Sequence, residues 1–155
     1  FFFDHVLLWC KEAVGRDELN ARYRSLHARV GFRHFGNGIL HVKQMTGRKH
    51  CEIQRTIIAT SAGTVTPSFL RAIHALVDFI YQAQSPMHTL SSVKAMVASL
   101  SEFHENKQAI LDAEVHQGAS TTIEHFNIPK LELLQHFAAF CSSNSEYGGC
   151  HPVYS

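Results

Sequence analysis

Helices account for every recognisable element of this sequence, and the predicted fold is all-α: an irregular multi-helix globular bundle of about six helices with no substantial sheet. Three observations predict it. Apolar residues recur at three- and four-residue spacing along most of the chain, and no stretch alternates with the two-residue period of a strand. The composition, 45% hydrophobic with 11 Phe and 17% charged, supplies a core and is unlike that of a disordered chain. A length of 155 residues suits one domain. The expected organisation is a helical domain over residues 1–141 followed by a disordered tail over 142–155.

The elements follow in order. Phe2, Phe3, Val6, Leu7, Cys10, Ala13 and Val14 form a helical stripe that runs to Gly15. No initiating Met or cap precedes it, so the natural chain is expected to extend further towards the N-terminus. The next helix is read from Asp17 to Val30, with Leu19, Tyr23, Leu26 and Val30 inward and Gly31 as its stop. A basic connector punctuated by Gly31, Gly36 and Gly38 leads to a short helix over about Ile39 to Met45. Thr46 and Gly47 break that helix and open another, Arg48 to about Ser61, which buries Ile53, Ile57 and Ile58.

Thr66-Pro67 is the clearest boundary. Thr66 can accept from first-turn N–H groups, and Pro67 gives up no bond it would have made there. The helix from Pro67 to Gln84 carries only a polar stripe of Arg71, His74, Asp78 and Gln82, which predicts a central position. Ser85-Pro86 ends it. A long helix is expected from Leu90 towards His116, packing on Val93, Met96, Val97, Leu100, Phe103, Ile110 and Leu111. Gly118 to Thr122 reads as a loop. Pro129 opens a last amphipathic helix with Leu131, Leu134, Phe137, Ala138 and Cys141 inward.

Composition also bounds the function. No window holds the roughly 18 consecutive apolar residues of a membrane span, so no membrane partner is expected. Phe1-Phe2-Phe3 meets Asp4 and His5 at once and lacks a basic leader, unlike a signal peptide. Cys10, Cys51, Cys141 and Cys150 form no CxxC pair, which suits free thiols in an intracellular, reducing compartment. The overall charge of +1 conceals segregation. Between Asn20 and Thr60, Arg22, Arg24, Arg29, Arg33, Lys43, Arg48, Lys49 and Arg55 stand against Glu52 alone, a net +7. Such a run is either a polyanion-binding face or a solvated face paired with the acidic remainder.

The twelve histidines raise the question of a metal, but structural zinc takes close ligand pairs such as CxxC or HxxxH. His34 and His41 are seven apart, and Cys150-His151 are adjacent; neither pattern suits a tetrahedral site. His74 and Asp78, one helical turn apart, read as an ordinary surface pair. Asp4-His5 offers one carboxylate, where two-metal chemistry needs several. No phosphate loop, serine elbow or dinucleotide fingerprint is present, and Gly36-Asn37-Gly38 reads as a turn. No small-molecule substrate is therefore expected. The candidate site is the basic connector and the helix starts after it: Arg33, His34, Lys43, Arg48, Lys49, His50 and Arg55, groups that would position nucleic-acid phosphates without reading sequence.

A set of short motifs recurs in order: Phe3-Asp4-His5 with Trp9-Cys10, Gly31-Phe32-Arg33-His34-Phe35 with Gly38-Ile39, Thr46-Gly47-Arg48-Lys49-His50, Leu76 through Gln84, Phe103 through Lys107, and His125 through Glu132. Together they resemble the Plavaka-type transposases of fungal mobile elements, which are similar to the CACTA group, from Phe1 to about Phe140. The resemblance implies a cut-and-paste DNA transposase acting in the nucleus, whose RNase H-like domain holds divalent metal with two Asp and one Glu. In related transposases a mostly helical region is inserted before the final Glu, and this chain resembles that region. The first catalytic carboxylates are then expected upstream of Phe1. Asp4 occupies a family position without an assigned catalytic role. Ser142 to Ser155 departs from the family's continuation, so no catalytic role passes to Glu146, and a fragment or decayed copy is implied.

The expectation is thus a DNA-contacting or assembly region, catalytically incomplete alone. It holds no cofactor of its own, the divalent metal belonging to a full-length parent, and self-association or a missing flanking domain would complete it. The alternative is a non-catalytic helical protein-interaction module, a domesticated relic. A stand-alone metal-dependent hydrolase is the third and weakest reading.

Overall fold

The computed structural model describes residues 2–28, 30–31, 34–40, 47–116, 123, 125–126 and 128–144. Every regular element among them is helical. The chain opens with a π-helical turn, Phe2–Val6, that continues into α1 (Leu7–Val14). Gly15, at φ +91°, reverses the chain into α2 (Arg16–Ser25), and its carbonyl accepts the Leu19 N–H at 2.9 Å. Then follow α3 (Gly47–Ser61), α4 (Pro67–Ala83), α5 (Leu90–Asn106), α6 (Gln108–Asp112) and α7 (Pro129–Asn144). Among the described residues no helix is long and apolar enough to cross a membrane.

Helix α4 is the hub. Phe69, Ala72, Ile73, Ala75, Leu76, Val77 and Phe79 are all buried, and α4 packs against α3, α5 and α6. Its start follows the local chemistry: the Phe69 N–H donates to Thr66 Oγ1 at 3.3 Å, with Pro67 in the first turn. Helix α5 is fastened similarly. Thr89 and Ser92 form a reciprocal capping box, and Gln82 Nε2 donates to Ser99 Oγ at 3.2 Å to tie α4 to α5. Buried side chains from Phe2 to Leu131 join in one cluster, so the π turn, α1, α2, α3, α4, α5, α6 and α7 share a core. Cys10 sits within it beside Ser61, and burial pushes its thiol up to about 12.

Four boundaries differ from those the sequence predicts. Helix α2 stops at Ser25, Leu26 is extended, and Val30 is fully exposed rather than inward. The Ser25 hydroxyl donates to the Arg22 carbonyl at 2.8 Å, the acceptor that the Leu26 N–H would use to prolong the helix. Ile39 and Leu40, assigned to a short helix, are not helical; the rest of that segment, 41–45, lies outside the described residues. The long helix from Leu90 to His116 is broken after Asn106, whose side-chain amide donates to the Glu102 carbonyl at 2.9 Å. Beyond α6, the Glu114 N–H closes on the Leu111 carbonyl at 2.8 Å with φ +54°, a left-handed residue that turns the chain away. Finally, Ser142 to Asn144 belong to α7 rather than to a tail, while the remaining tail residues, 145–155, and the predicted loop Gly118 to Thr122 fall outside the described set.

Candidate nucleic-acid interface

The basic stretch occupies the end of α2, the connector after it and the first turns of α3. The connector is fastened from beneath. Asn20 on α2 points its carboxamide oxygen at the chain and accepts the N–H groups of Ile39 at 2.9 Å and Leu40 at 3.2 Å. Phe35 is buried edge-on against Tyr23, with ring centroids 5.8 Å apart. Between these two anchors the Gly38 N–H closes a tight turn on the Phe35 carbonyl at 2.6 Å, the turn read from Gly36-Asn37-Gly38. Gly38 has φ +76°, and a Cβ there would overlap the Asn20 carboxamide, so both backbone conformation and space require glycine.

Tyr23 extends this footing to α3. Its hydroxyl, deep in the core, donates to the Ile53 carbonyl at 3.0 Å and accepts from Thr56 Oγ1 at 3.3 Å. Burial raises the phenol well above its usual range, so it stays protonated and serves as a structural donor.

Of the candidate residues, four are described in full. His34 is exposed, its ring lying beside Gly36. Lys49 is half-buried in the first turn of α3. His50 rests edge-on against Phe2 at 5.2 Å, and burial lowers its imidazole below the usual range, against the opposing pull of Asp4. A neutral His50 is a weaker phosphate contact than a lysine. Arg55, half-exposed, pairs with the buried Glu52 at 3.2 Å and also engages the Tyr81 hydroxyl, which donates to the Cys51 carbonyl. Burial raises the Tyr81 phenol, and the Arg55 guanidinium opposes that rise. Arg48 lies in the first turn of α3 with its side chain outside the described residues, as are Arg33 and Lys43 entirely.

One further member of the +7 stretch has a task that sequence reading missed. Arg22 Nη1 donates to the carbonyls of Thr60 at 3.2 Å and Ala62 at 2.7 Å, while its Nε meets Glu18 at 2.7 Å. A guanidinium at the C-terminal end of α3 satisfies carbonyls that helix geometry leaves open and complements the negative end of the dipole. Arg22 and Arg55 are thus committed inside the molecule. Among the other described candidates, His34 is exposed and Lys49 is half-buried. The only local signal of the Arg22 cap is its i,i+4 spacing from Glu18.

The other candidate constellations are dispersed. His74 Nε2 and Asp78 Oδ2 lie 3.5 Å apart with both side chains largely solvated, a surface pair. Among the described residues no group of three or more His, Cys, Asp or Glu side chains is placed to hold a metal ion. A cleft of about 460 Å³ opens between α1, the α3–α4 loop and α6, lined by Glu12, Thr64, Val65, Ser68, Phe69 and Asp112 among others; none of the described basic candidates borders it. Glu12 is already engaged by Arg16 at 2.6 Å, and Asp112 by Gln108 at 3.0 Å. Comparison of the chain with protein-family models, characterised proteins and solved structures returns no match.

Proposed function

We propose that this chain is the helical DNA-contacting or assembly region of a cut-and-paste transposase-like protein, incomplete as a catalyst by itself. The observation that carries the DNA contact is the concentration of eight basic residues against Glu52 between Asn20 and Thr60. Its support is twofold. The connector that carries His34 is held at Phe35, Ile39 and Leu40 by Tyr23 and Asn20, so a phosphate contact from His34 would cost little ordering entropy. The ordered motifs resembling Plavaka-type transposases supply the class of parent enzyme, a divalent-metal nuclease whose carboxylates would come from outside this segment. Arg33, His34, Lys43, Arg48 and Lys49 are the proposed phosphate contacts, and His50 and Arg55 are secondary to them.

Duplex DNA binding by the chain, followed by fluorescence anisotropy, tests this reading. Affinity should fall linearly with salt on logarithmic axes, by about 0.9 in slope per phosphate neutralised. Replacing Arg48 and Lys49 together by Gln should reduce the slope by about 2 without selecting among DNA sequences. Binding that is absent, or indifferent to salt and to that double substitution, would sink the DNA-contact reading.

A second reading, a helical protein-interaction module, is favoured by one observation. Leu90 and Val97 on α5, and Leu133 and Phe140 on α7, expose large apolar side chains at seven-residue spacing. Sedimentation velocity discriminates here: a concentration-independent monomer would argue against self-association through these faces.

A further inference from the structure

The chain contains a single tryptophan, Trp9, and it is buried on α1. Its indole N–H donates to His116 Nδ1 at 3.1 Å, bridging 107 residues of sequence. An indole nitrogen can only donate, so Nδ1 must accept, which fixes His116 as a neutral imidazole protonated at Nε2. A hydrogen bond with the His125 backbone further orients the ring. One ring face lies on Phe126, with centroids 5.4 Å apart and planes 17° from parallel, and Phe126 meets both Trp9 and Phe103 edge-on. The His116 carbonyl accepts the Ile123 N–H at 2.7 Å.

We propose that His116 is a proton-operated latch that holds His116 and Phe126, on the chain between α6 and α7, against Trp9 of α1. In the neutral state the indole–imidazole bond and the stack on Phe126 fasten the connector. A proton arriving at Nδ1 replaces the acceptor by a donor, leaving two N–H groups pointed at each other within a buried aromatic cluster. Either Trp9 or the His116 ring must then move, and the contacts of His116 and Phe126 with Trp9 are lost. Several titratable groups among the described residues border the latch, and Glu114 lies two residues before His116 in the chain. His5 approaches Trp9 from the π turn at 5.8 Å, Lys107 lies 5.7 Å over Phe126 from the end of α5, His104 rests on Phe103, and His125 flanks His116 in the connector. Burial first, and His125 second, hold the His116 imidazole below its usual range, so the latch stays closed at neutral pH and opens only in acid.

The experiment is a pH titration of intrinsic fluorescence on the full chain from about pH 8 to pH 4, with far-UV circular dichroism recorded in parallel. The expected result is a red shift and loss of Trp9 emission, centred below about pH 6.5, that precedes loss of the helical signal. His116→Gln should abolish this step, because a carboxamide oxygen still accepts from the indole but takes up no proton. His5→Gln should retain it. A step that survives His116→Gln, disappears in His5→Gln, or coincides with helix loss overturns the proposal. If His116→Gln does not fold, NMR of the unsubstituted chain decides: the Trp9 indole N–H resonance must move with the His116 titration, and indifference of one to the other overturns the latch.

Discussion

Between α2 and α3 the chain is tied down by a carboxamide, and between α6 and α7 by an imidazole. The first connector is held through its backbone: Asn20 accepts two main-chain N–H groups, and Phe35 fills a pocket against Tyr23. The second is held through side chains, with His116 bonded to Trp9 and stacked on Phe126. A carboxamide does not titrate, so the first tie is insensitive to pH, but it demands glycine at position 38. The aromatic tie makes no such backbone demand, but its central group changes character on taking up a proton. The segment carrying the proposed phosphate contacts is the one whose anchor is indifferent to acidity.

Four outcomes would sharpen or break that contrast. The largest is expected for Phe35→Ala, which empties a buried aromatic site and should cost about 3–5 kcal/mol in chemical denaturation. A loss below about 1 kcal/mol would mean that the connector is not anchored there. Gly38→Ala comes second, at about 2–3 kcal/mol, from left-handed strain and displacement of the Asn20 carboxamide from two N–H groups. In an Asn20→Ala background the same change should cost markedly less, since the overlap and the two bonds are already gone.

The third outcome concerns pH. His50, His104 and His116 are all held below the usual histidine range, in each case chiefly by burial, so the folded chain binds fewer protons than the unfolded one near and below about pH 6.5. Their contribution to stability is therefore complete above that pH and is lost as pH falls towards their folded values. Denaturation midpoints between pH 7.5 and 5 should decline accordingly, and His116→Gln should flatten part of the slope. A midpoint that rises on acidification over this window would contradict the assignment. The smallest effect is a gain: Glu114 adopts φ +54° after α6, and Glu114→Gly should stabilise by about 0.5–1 kcal/mol, seen as a higher thermal midpoint.

These regions also show what the sequence could disclose. The start of α4 was legible because Thr66 and Pro67 act on their immediate neighbours. The end of α2 was not, since Leu26 and Val30 continue the apolar spacing while Ser25 withdraws the acceptor carbonyl. The break after Asn106 has the same origin, a polar side chain competing with the backbone inside an unbroken apolar stripe. In the candidate site, the charges were legible but their assignments were not. Arg22 reaches carbonyls 38 and 40 residues away, and the partners of Trp9 and Tyr23 lie 107 and 30 residues off. Spacing rules report on neighbours along a helix, not on which distant backbone a guanidinium or an indole will find.

Cys10 has a practical consequence. With its thiol pushed up to about 12 and closed off between α1 and Ser61, it offers almost no thiolate to an alkylating reagent at neutral pH while the core is shut. Its labelling rate, told apart from that of the half-buried Cys51, thus times the excursions in which the core opens, a stopwatch for breathing already built into the sequence.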